Sequence, residues 1–363
     1  LLSSGQVEAR VVAPVPWFPF RHRCFGQYGA FARTVRQEVR AGITVLHPAY
    51  MVLPKIGMSL APFLLAARAI PVIRKLIREG YDFDLIDAHY FYPDGVAAVL
   101  LGRFFNKPVV ITARGSDISL IPQFAVPRRL IQWAIRRADA MITVCEALRQ
   151  ELIELGAAPE QVTTLRNGVD LELFHPSDRA LQRQRLGMQG YTLLSVGNLI
   201  PVKGHDLVIQ ALVQLPEVRL VIAGGGPEWE KLAQLAQRLG VAERVTFTGV
   251  LTQAELVAYY GAADALVLAS SREGWANVLL EAMACGTPVI ATRVWGTPEV
   301  VAERRAGILM QARSSVSLVA AVRQLQQDGP DRADTRRYAE GFDWAATTQG
   351  QLRLFRSVLK KTD

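Results

Sequence analysis

Short apolar runs rich in Val, Ile and Leu alternate with longer stretches of helical periodicity along all 363 residues. The runs lack polar alternation, so each predicts a strand buried on both faces of a parallel sheet. In the first half they fall near residues 10–14, 43–46, 84–88, 108–113, 140–144 and 162–165, with helical patterns near 28–40, 58–78, 94–105, 126–137 and 146–155. In the second half strands are expected near 191–196, 218–223, 245–247, 265–268, 288–291 and 307–309, and helices near 203–214, 227–239, 253–260, 277–285, 296–302 and 314–328. The same βα rhythm runs on both sides of one interruption, Arg166–Pro176 (RNGVDLELFHP), where Asn-Gly and a proline punctuate the pattern. Two doubly wound α/β domains follow, over residues 1–165 and 166–340. A last amphipathic helix in 341–363 is expected to cross back to the first domain. Open α/β domains ordinarily begin with a strand and a glycine-rich turn. This sequence opens LLSSGQVEARVVAPVPWF, a helix end, a turn and then a strand, so the first βα unit is expected to be absent.

Composition narrows the class. Half the residues are apolar and 20% are charged, a globular balance. Three dispersed cysteines, Cys24, Cys145 and Cys285, exclude a disulfide framework or a cysteine zinc site and fit a reducing, cytoplasmic compartment. No uninterrupted apolar run is long enough to span a membrane. The most hydrophobic long stretch, Met58–Ile77, is broken by Pro62, Arg68, Pro71, Arg74 and Lys75. It reads as a core-facing helix pair or as an amphipathic segment leaning on an anionic membrane surface. The formal charge of +8 is uneven: residues 1–165 hold 19 Lys/Arg against 13 Asp/Glu, and the remainder 22 against 20. An anionic partner is suggested for the first half, either lipid headgroups or a phosphorylated acceptor, the alternative being a solvated basic face with no partner. Nucleic acid is not expected, because no helix-turn-helix, zinc-finger or RNP pattern accompanies the charge.

The densest chemistry lies in Ser271–Ala284, SREGWANVLLEAMA, between the apolar strands ALVLAS and CGTPVIAT. Glu273 falls in the loop at a strand's carboxyl end, where open α/β sheets bind ligands, and Glu281 lies eight positions on, along the following helix. The backbone amides of Gly274 to Val278, Asn277 among them, open that helix and can receive an anion. Carboxylates flanking such donors suit a ligand that carries both hydroxyls and phosphates.

This Glu-x7-Glu segment resembles the signature of the retaining family-4 glycosyltransferases of the GT-B fold, in which two Rossmann-like domains face a cleft. The resemblance continues in NGVD followed by Phe174, in SVGNLIPVKGHDLVIQAL, in LVIAGGGPEWEKL, in VTFTGVLTQAELVAYYGAADALVLAS and in GTPVIATRVWGTPEVV. It implies a nucleotide-sugar donor, UDP- or GDP-linked, held by the second domain. Glu281 would take the ribose hydroxyls and Glu273 the hydroxyls of the transferred sugar. Lys203 would pair with the diphosphate as its charge grows on bond breakage. Asn198 replaces the arginine common beside the first glycine and brings no charge. Gly225 lies in the Gly-Gly-Gly turn. Val250 and Leu251 would line the base pocket through backbone groups, their side chains otherwise reading as core.

In the first domain the matching segments are DLIDAHYFYPDGVAAVL and PVVITARGSD. Arg114 stands where relatives often carry histidine; a guanidinium cannot act as a base but can stabilise phosphate charge or grip an anionic acceptor. His89, Asp94 and Asp117 are the nearest candidates on the acceptor side. No metal or other cofactor is expected: Asp82–Asp84 (DFD) precedes a strand and reads as a turn, and no His/Cys/Asp cluster has metal spacing. The implied activity is retaining transfer of a hexosyl unit to the hydroxyl of a glycan or lipid-linked acceptor of cell-envelope polysaccharide synthesis, at the inner face of the membrane. Closure near Asn167–Gly168 would exclude water. VAPVPWFPF and YPDG…TARGSD are similar to the teichuronic-acid-type branch. A non-catalytic sugar-nucleotide binder, or another GT-B enzyme such as an epimerase, is the alternative.

Overall fold

The computed structural model describes residues 1–22, 24, 26–51 and 57–360. The chain divides into two compact units, Leu1–Leu165 together with the segment from Thr348 onward, and Arg166–Thr347. Among the described residues no helix is long and apolar enough to cross a membrane.

The first unit holds three sheets. β1 (Val11–Val12) runs parallel to β4 (Ile43–Leu46), with β3 (Gln37–Arg40) antiparallel to β4, while β2 (Val15–Trp17) runs parallel to β5 (Ala49–Met51). The third sheet is wholly parallel, in the order β6 (Ile86–His89), β7 (Val109–Ala113), β8 (Ala140–Thr143) and β9 (Val162–Thr164). β7 and β8 are buried at every position, as their unbroken apolar runs require. The returning helix Trp344–Leu359 lays Phe355 and Val358 against Val110, Ala140 and Ile142. Its Gly350 lies so close to Leu165 that an added Cβ would stand 2.5 Å from Cδ2.

Two expectations are corrected here. The helix expected over 28–40 runs only from Gly26 to Arg33, and residues 37–40 form β3. β-Branched Thr34, Val35 and Val39 weigh against helix continuation, and Ala41 and Gly42, both at positive φ, form a tight two-residue hairpin turn into β4. The helix pair expected over 58–78 is one helix, Gly57–Arg78, continuous through Pro62 and Pro71. An interior proline costs about 3 kcal/mol. Leu65, Ala66, Ala69 and Ile73 offset this by packing with Ala97 and Leu101, large aliphatic side chains gaining about 1.5–3 kcal/mol each on burial.

The second unit is one six-stranded parallel sheet: β10 (Tyr191–Val196), β11 (Val218–Ala223), β12 (Val245–Gly249), β13 (Ala265–Leu268), β14 (Val289–Thr292) and β15 (Gly307–Met310). The spatial order is β12-β11-β10-β13-β14-β15. Counted within the unit, the strands read 3-2-1-4-5-6, so the winding direction reverses between β10 and β13. The carboxyl ends of strands at such a reversal are where open α/β sheets bind ligands. One core cluster unites Leu193, Ile222, Val267 and Ile290 on the sheet with Val208, Leu212, Leu232, Leu318 and Val322 on the covering helices.

Candidate active site

Both strands at the winding reversal deliver a charged side chain to it. After β10 the chain makes a short turn, Pro201–Lys203, that ends on Lys203; after β13 the loop carries Ser270 and Glu273. Lys203 Nζ lies 2.6 Å from Glu273 Oε1, and Ser270 Oγ donates to the same oxygen at 2.6 Å. Only 23% of the lysine and 11% of the glutamate side chain is exposed, so water screens the pair weakly. An ammonium has three donors and a carboxylate four lone-pair directions, so the pair keeps capacity toward a ligand.

Glycine shapes the floor beside Lys203. Gly224, at φ 154°, lies so near Gly197 that a Cβ on it would stand 1.9 Å from the Gly197 carbonyl oxygen. Any side chain there would push apart the loops after β10 and β11. Those loops are tied by Gly197 N–H to Ala223 O and Leu199 N–H to Gly225 O, each at 3.0 Å, and Gly224 N–H to Gly249 O at 2.8 Å ties the second of them to the end of β12. Gly225 faces Val250, whose Cγ2 would be 2.9 Å from an added Cβ. Val250 is 81% exposed, which corrects its alternative assignment to the core: the strand has ended at Gly249, and among the described residues no element covers it. Leu251 is half-buried beside it, and Asn198 is exposed.

The helix Asn277–Ala284 opens without a side-chain cap, so its first amides are not answered by a capping residue. Asn277 Oδ1 accepts from Asn167 Nδ2 at 3.2 Å. One helical turn after Asn277, Glu281 receives a 2.8 Å hydrogen bond from the hydroxyl of Tyr260, a side chain with no exposed surface. Burial raises the Glu281 carboxyl above the usual range and the tyrosine bond offsets part of that rise. Tyr260 itself is pushed well above the ordinary phenol, by burial first and then by the neighbouring carboxylate, and so remains a donor.

Two family models cover most of the chain: Glycosyl transferases group 1 over residues 177–342, and Glycosyltransferase Family 4 over residues 50–173. The D-inositol 3-phosphate glycosyltransferase of Frankia alni is 34% identical over 89% of this chain and 86% of its own length. The chain is a member of the family-4, group-1 glycosyltransferases. The glycosyltransferase of that name from Acidothermus cellulolyticus is 32% identical over 89% of this chain and 78% of its own. Sucrose-phosphate synthase from Thermosynechococcus elongatus shares the GT-B fold with a TM-score of 0.78 at 21% identity, over 91% of this chain and 87% of that one. Anabaena HepE, solved in complex with UDP-glucose, shares it at 0.74 and 24% identity, over 87% and 86%.

In the first unit of this glycosyltransferase the candidate groups cluster at the carboxyl ends of β6 and β7. His89 closes β6, and its Nδ1 lies 2.7 Å from Arg114 Nη2, one residue past β7. A guanidinium only donates, so Nδ1 is the acceptor and Nε2 carries the proton, 3.5 Å from Asp87. Asp117 is buried, and its carboxylate accepts from the backbone N–H of Phe91 at 2.8 Å, of Gly115 at 2.7 Å and of Arg114 at 3.2 Å. These bonds clamp the loop carrying Arg114 onto the segment after His89. Asp94 is half-buried, and its carboxyl is raised by loss of water contact and by Asp117 nearby. Asp82 pairs with Lys107 at 2.9 Å, in the turn before β6.

Three contributors were missed in the sequence. Ser270 and Tyr260 act through the carboxylates they hold. His205, buried, accepts from Ser195 Oγ at 2.9 Å and donates to the Asn198 carbonyl at 3.3 Å, which fixes the loop after β10. Burial lowers the His205 imidazole below its usual range and keeps it neutral. The signal for Tyr260 was a polar aromatic at Leu256 plus four, on the buried face of its helix.

Proposed function

We propose that this glycosyltransferase moves a hexosyl unit from a UDP- or GDP-sugar to an acceptor hydroxyl, retaining the anomeric configuration and needing no metal. The observation that carries it is the Lys203–Glu273 pair at the winding reversal of the second unit. The donor lies across β10 and β13, with Lys203 and the amides of Gly274 to Val278 on the diphosphate, where charge develops as the glycosidic bond breaks. Glu273 orients the sugar hydroxyls and Glu281 the ribose hydroxyls, while the segment at Gly225, Val250 and Leu251 faces the base. Asn198 hydrogen-bonds the phosphate without adding charge, so Lys203 bears that load.

The first unit takes the acceptor. Arg114 braces an anionic group of it, with His89 and Asp94 toward its hydroxyls and Asp117 holding their loops in place. A phosphate near the accepting hydroxyl is the chemistry this set favours. The D-inositol 3-phosphate glycosyltransferase name of the relatives points to a small phosphorylated polyol, whereas the basic first unit favours a lipid-linked glycan phosphate of the cell envelope, reached at the cytoplasmic membrane face. We favour the lipid-linked acceptor.

The intact chain incubated with UDP- and GDP-sugars, with inositol phosphate or lipid-linked glycan phosphates, and read by mass analysis, should yield a glycosylated acceptor and free nucleoside diphosphate, undiminished by chelator. Nucleotide binding with neither transfer nor donor hydrolysis would make the chain a binding protein. A free isomerised sugar would make it an epimerase.

A further inference from the structure

The second unit carries another charged cluster, at the amino ends of its strands and so at the opposite end of the sheet from Lys203 and Glu273. Tyr191 opens β10, Asp264 stands just before β13 and Pro288 just before β14, and all three line an open cavity of about 390 Å³. The last turn of the helix Ser315–Asp328, with Gly329 and Pro330, forms its other side. β10 is six residues long, so about 17 Å of strand separates this cavity from the carboxyl ends.

Three guanidinium groups meet there around one carboxylate. Arg179 and Arg183 lie four apart on the helix Arg179–Arg185 and so share one face. Asp264 accepts from Arg179 Nη2, from Arg183 Nη1 at 3.1 Å and from the Thr192 backbone N–H at 2.8 Å. Arg332 stands within their field: burial first, and then the charge of Arg179, bring its guanidinium down to about 10, still protonated at neutral pH. The other acid on the cavity wall, Asp328, is taken by Arg304. Three guanidinium groups against one carboxylate leave a formal excess of two positive charges. Two of the three are held rigidly: Arg183 donates to the Ala262 and Gly190 carbonyls, and Arg332 to the Ala263 carbonyl at 3.0 Å, the Gly261 carbonyl at 2.8 Å and Thr287 Oγ1 at 2.7 Å. Arg179 is not. Of its side chain 39% is exposed, and its Nε, shut off from solvent, has no partner among the described residues. A buried donor left unanswered costs about 1–3 kcal/mol.

Like charges fixed this close repel unless an anion joins them. A phosphomonoester carries a charge of about −1.5 to −2 at pH 7, which matches the excess, and its oxygens pair with a guanidinium fork. The remaining polar lining suits hydroxyls. Burial first, and then the charge of Asp264, hold the Tyr191 phenol well above its ordinary range, so it stays a donor, and Gln327 offers an amide. The volume falls within the range of small-molecule sites, about 300–1,000 Å³. We infer that this cavity is a second ligand site, for a small phosphorylated sugar or polyol, with Arg179 closing on the phosphate and Tyr191 and Gln327 on the hydroxyls. The site is separate from those proposed for donor and acceptor and does not rest on the proposed transfer.

The test is calorimetric titration of the full chain with glycerol 3-phosphate, glucose 6-phosphate and inorganic phosphate. At least one of the two hydroxylated phosphates should bind saturably. Arg179→Ala should weaken that binding about tenfold or more, the loss of one charged hydrogen bond. Gln327→Glu sets a negative charge at an exposed position of the lining and leaves the bonds to Asp264 intact, so it reports on the site even where Arg179→Ala fails to fold. It too should weaken binding about tenfold or more. Lys203→Ala and Arg114→Ala, which disable the proposed donor and acceptor anion sites, should leave the affinity unchanged. Binding of none of the three phosphates would overturn the inference. So would binding that both cavity variants retain and Lys203→Ala or Arg114→Ala abolishes, because the phosphate would then lie at the carboxyl ends. Binding of inorganic phosphate but of neither hydroxylated phosphate would overturn it as well, since the lining would then read the anion without the hydroxyls.

Discussion

Replacing Tyr260 by phenylalanine removes one oxygen from a fully buried ring and nothing else. That oxygen donates to Glu281 at 2.8 Å, and the Phe174 ring, 6.0 Å away edge-on, keeps the tyrosine ring in place with or without it. A hydrogen bond to a charged group is worth about 1.5–3 kcal/mol, and the carboxylate it leaves is half-buried. Burial already raises Glu281, and the tyrosine bond is what lowers it, so the variant's carboxyl rises further. The sign for stability follows. A folded-state value above the unfolded one means stability is highest below the unfolded value, near 4.5, and falls as pH rises through the folded value. The variant's deficit should therefore be small in acid and full at neutral pH, about 1–3 kcal/mol in denaturant titrations. Binding should follow the same proton. If Glu281 accepts the ribose hydroxyls as a carboxylate, UDP affinity in calorimetry should drop about fivefold near pH 7, and the pH below which affinity is lost should move upward. A stability loss with unchanged UDP affinity at every pH would show that Tyr260 serves the core alone, and would refute its role in positioning Glu281.

Other perturbations probe the site at different points. Lys203→Ala should lower turnover by at least about a hundredfold, on the scale of losing one oxyanion donor, whereas Cys285→Ser, at a thiol pushed by burial up to about 12, should leave turnover near wild type; equal, full activity in both would remove Lys203 from the chemistry. Asp117→Asn retains the shape but loses a carboxylate that answers three backbone donors, so it should destabilise the first unit by about 1–3 kcal/mol and raise the KM for acceptor more than for donor; a donor-specific effect in steady-state kinetics would contradict the clamp.

Much of the architecture was legible from residue pattern, because strands buried on both faces must be apolar at every position. VVITA, AMIT and ALVL lie on strands of parallel sheets for that reason. The pattern failed at Gln37–Arg40, where four residues with one apolar side chain carry neither period, and across Pro62 and Pro71, where tertiary packing overrode a local breaker. Glu273 and Glu281 were legible as candidates through their setting between strand and helix, and Lys203 through its place after the first strand of the second unit. Their partners were not. Lys203 and Glu273 are 70 residues apart and meet only because the sheet order reverses between β10 and β13. Tyr260 reaches Glu281 only because their helices pack side by side. Residue type and local period determined which groups could bind charge and on which kind of element they would lie. Which of them share a desolvated pocket was decided by strand order and helix packing, since contact across long separations is a property of the folded chain and of no segment within it.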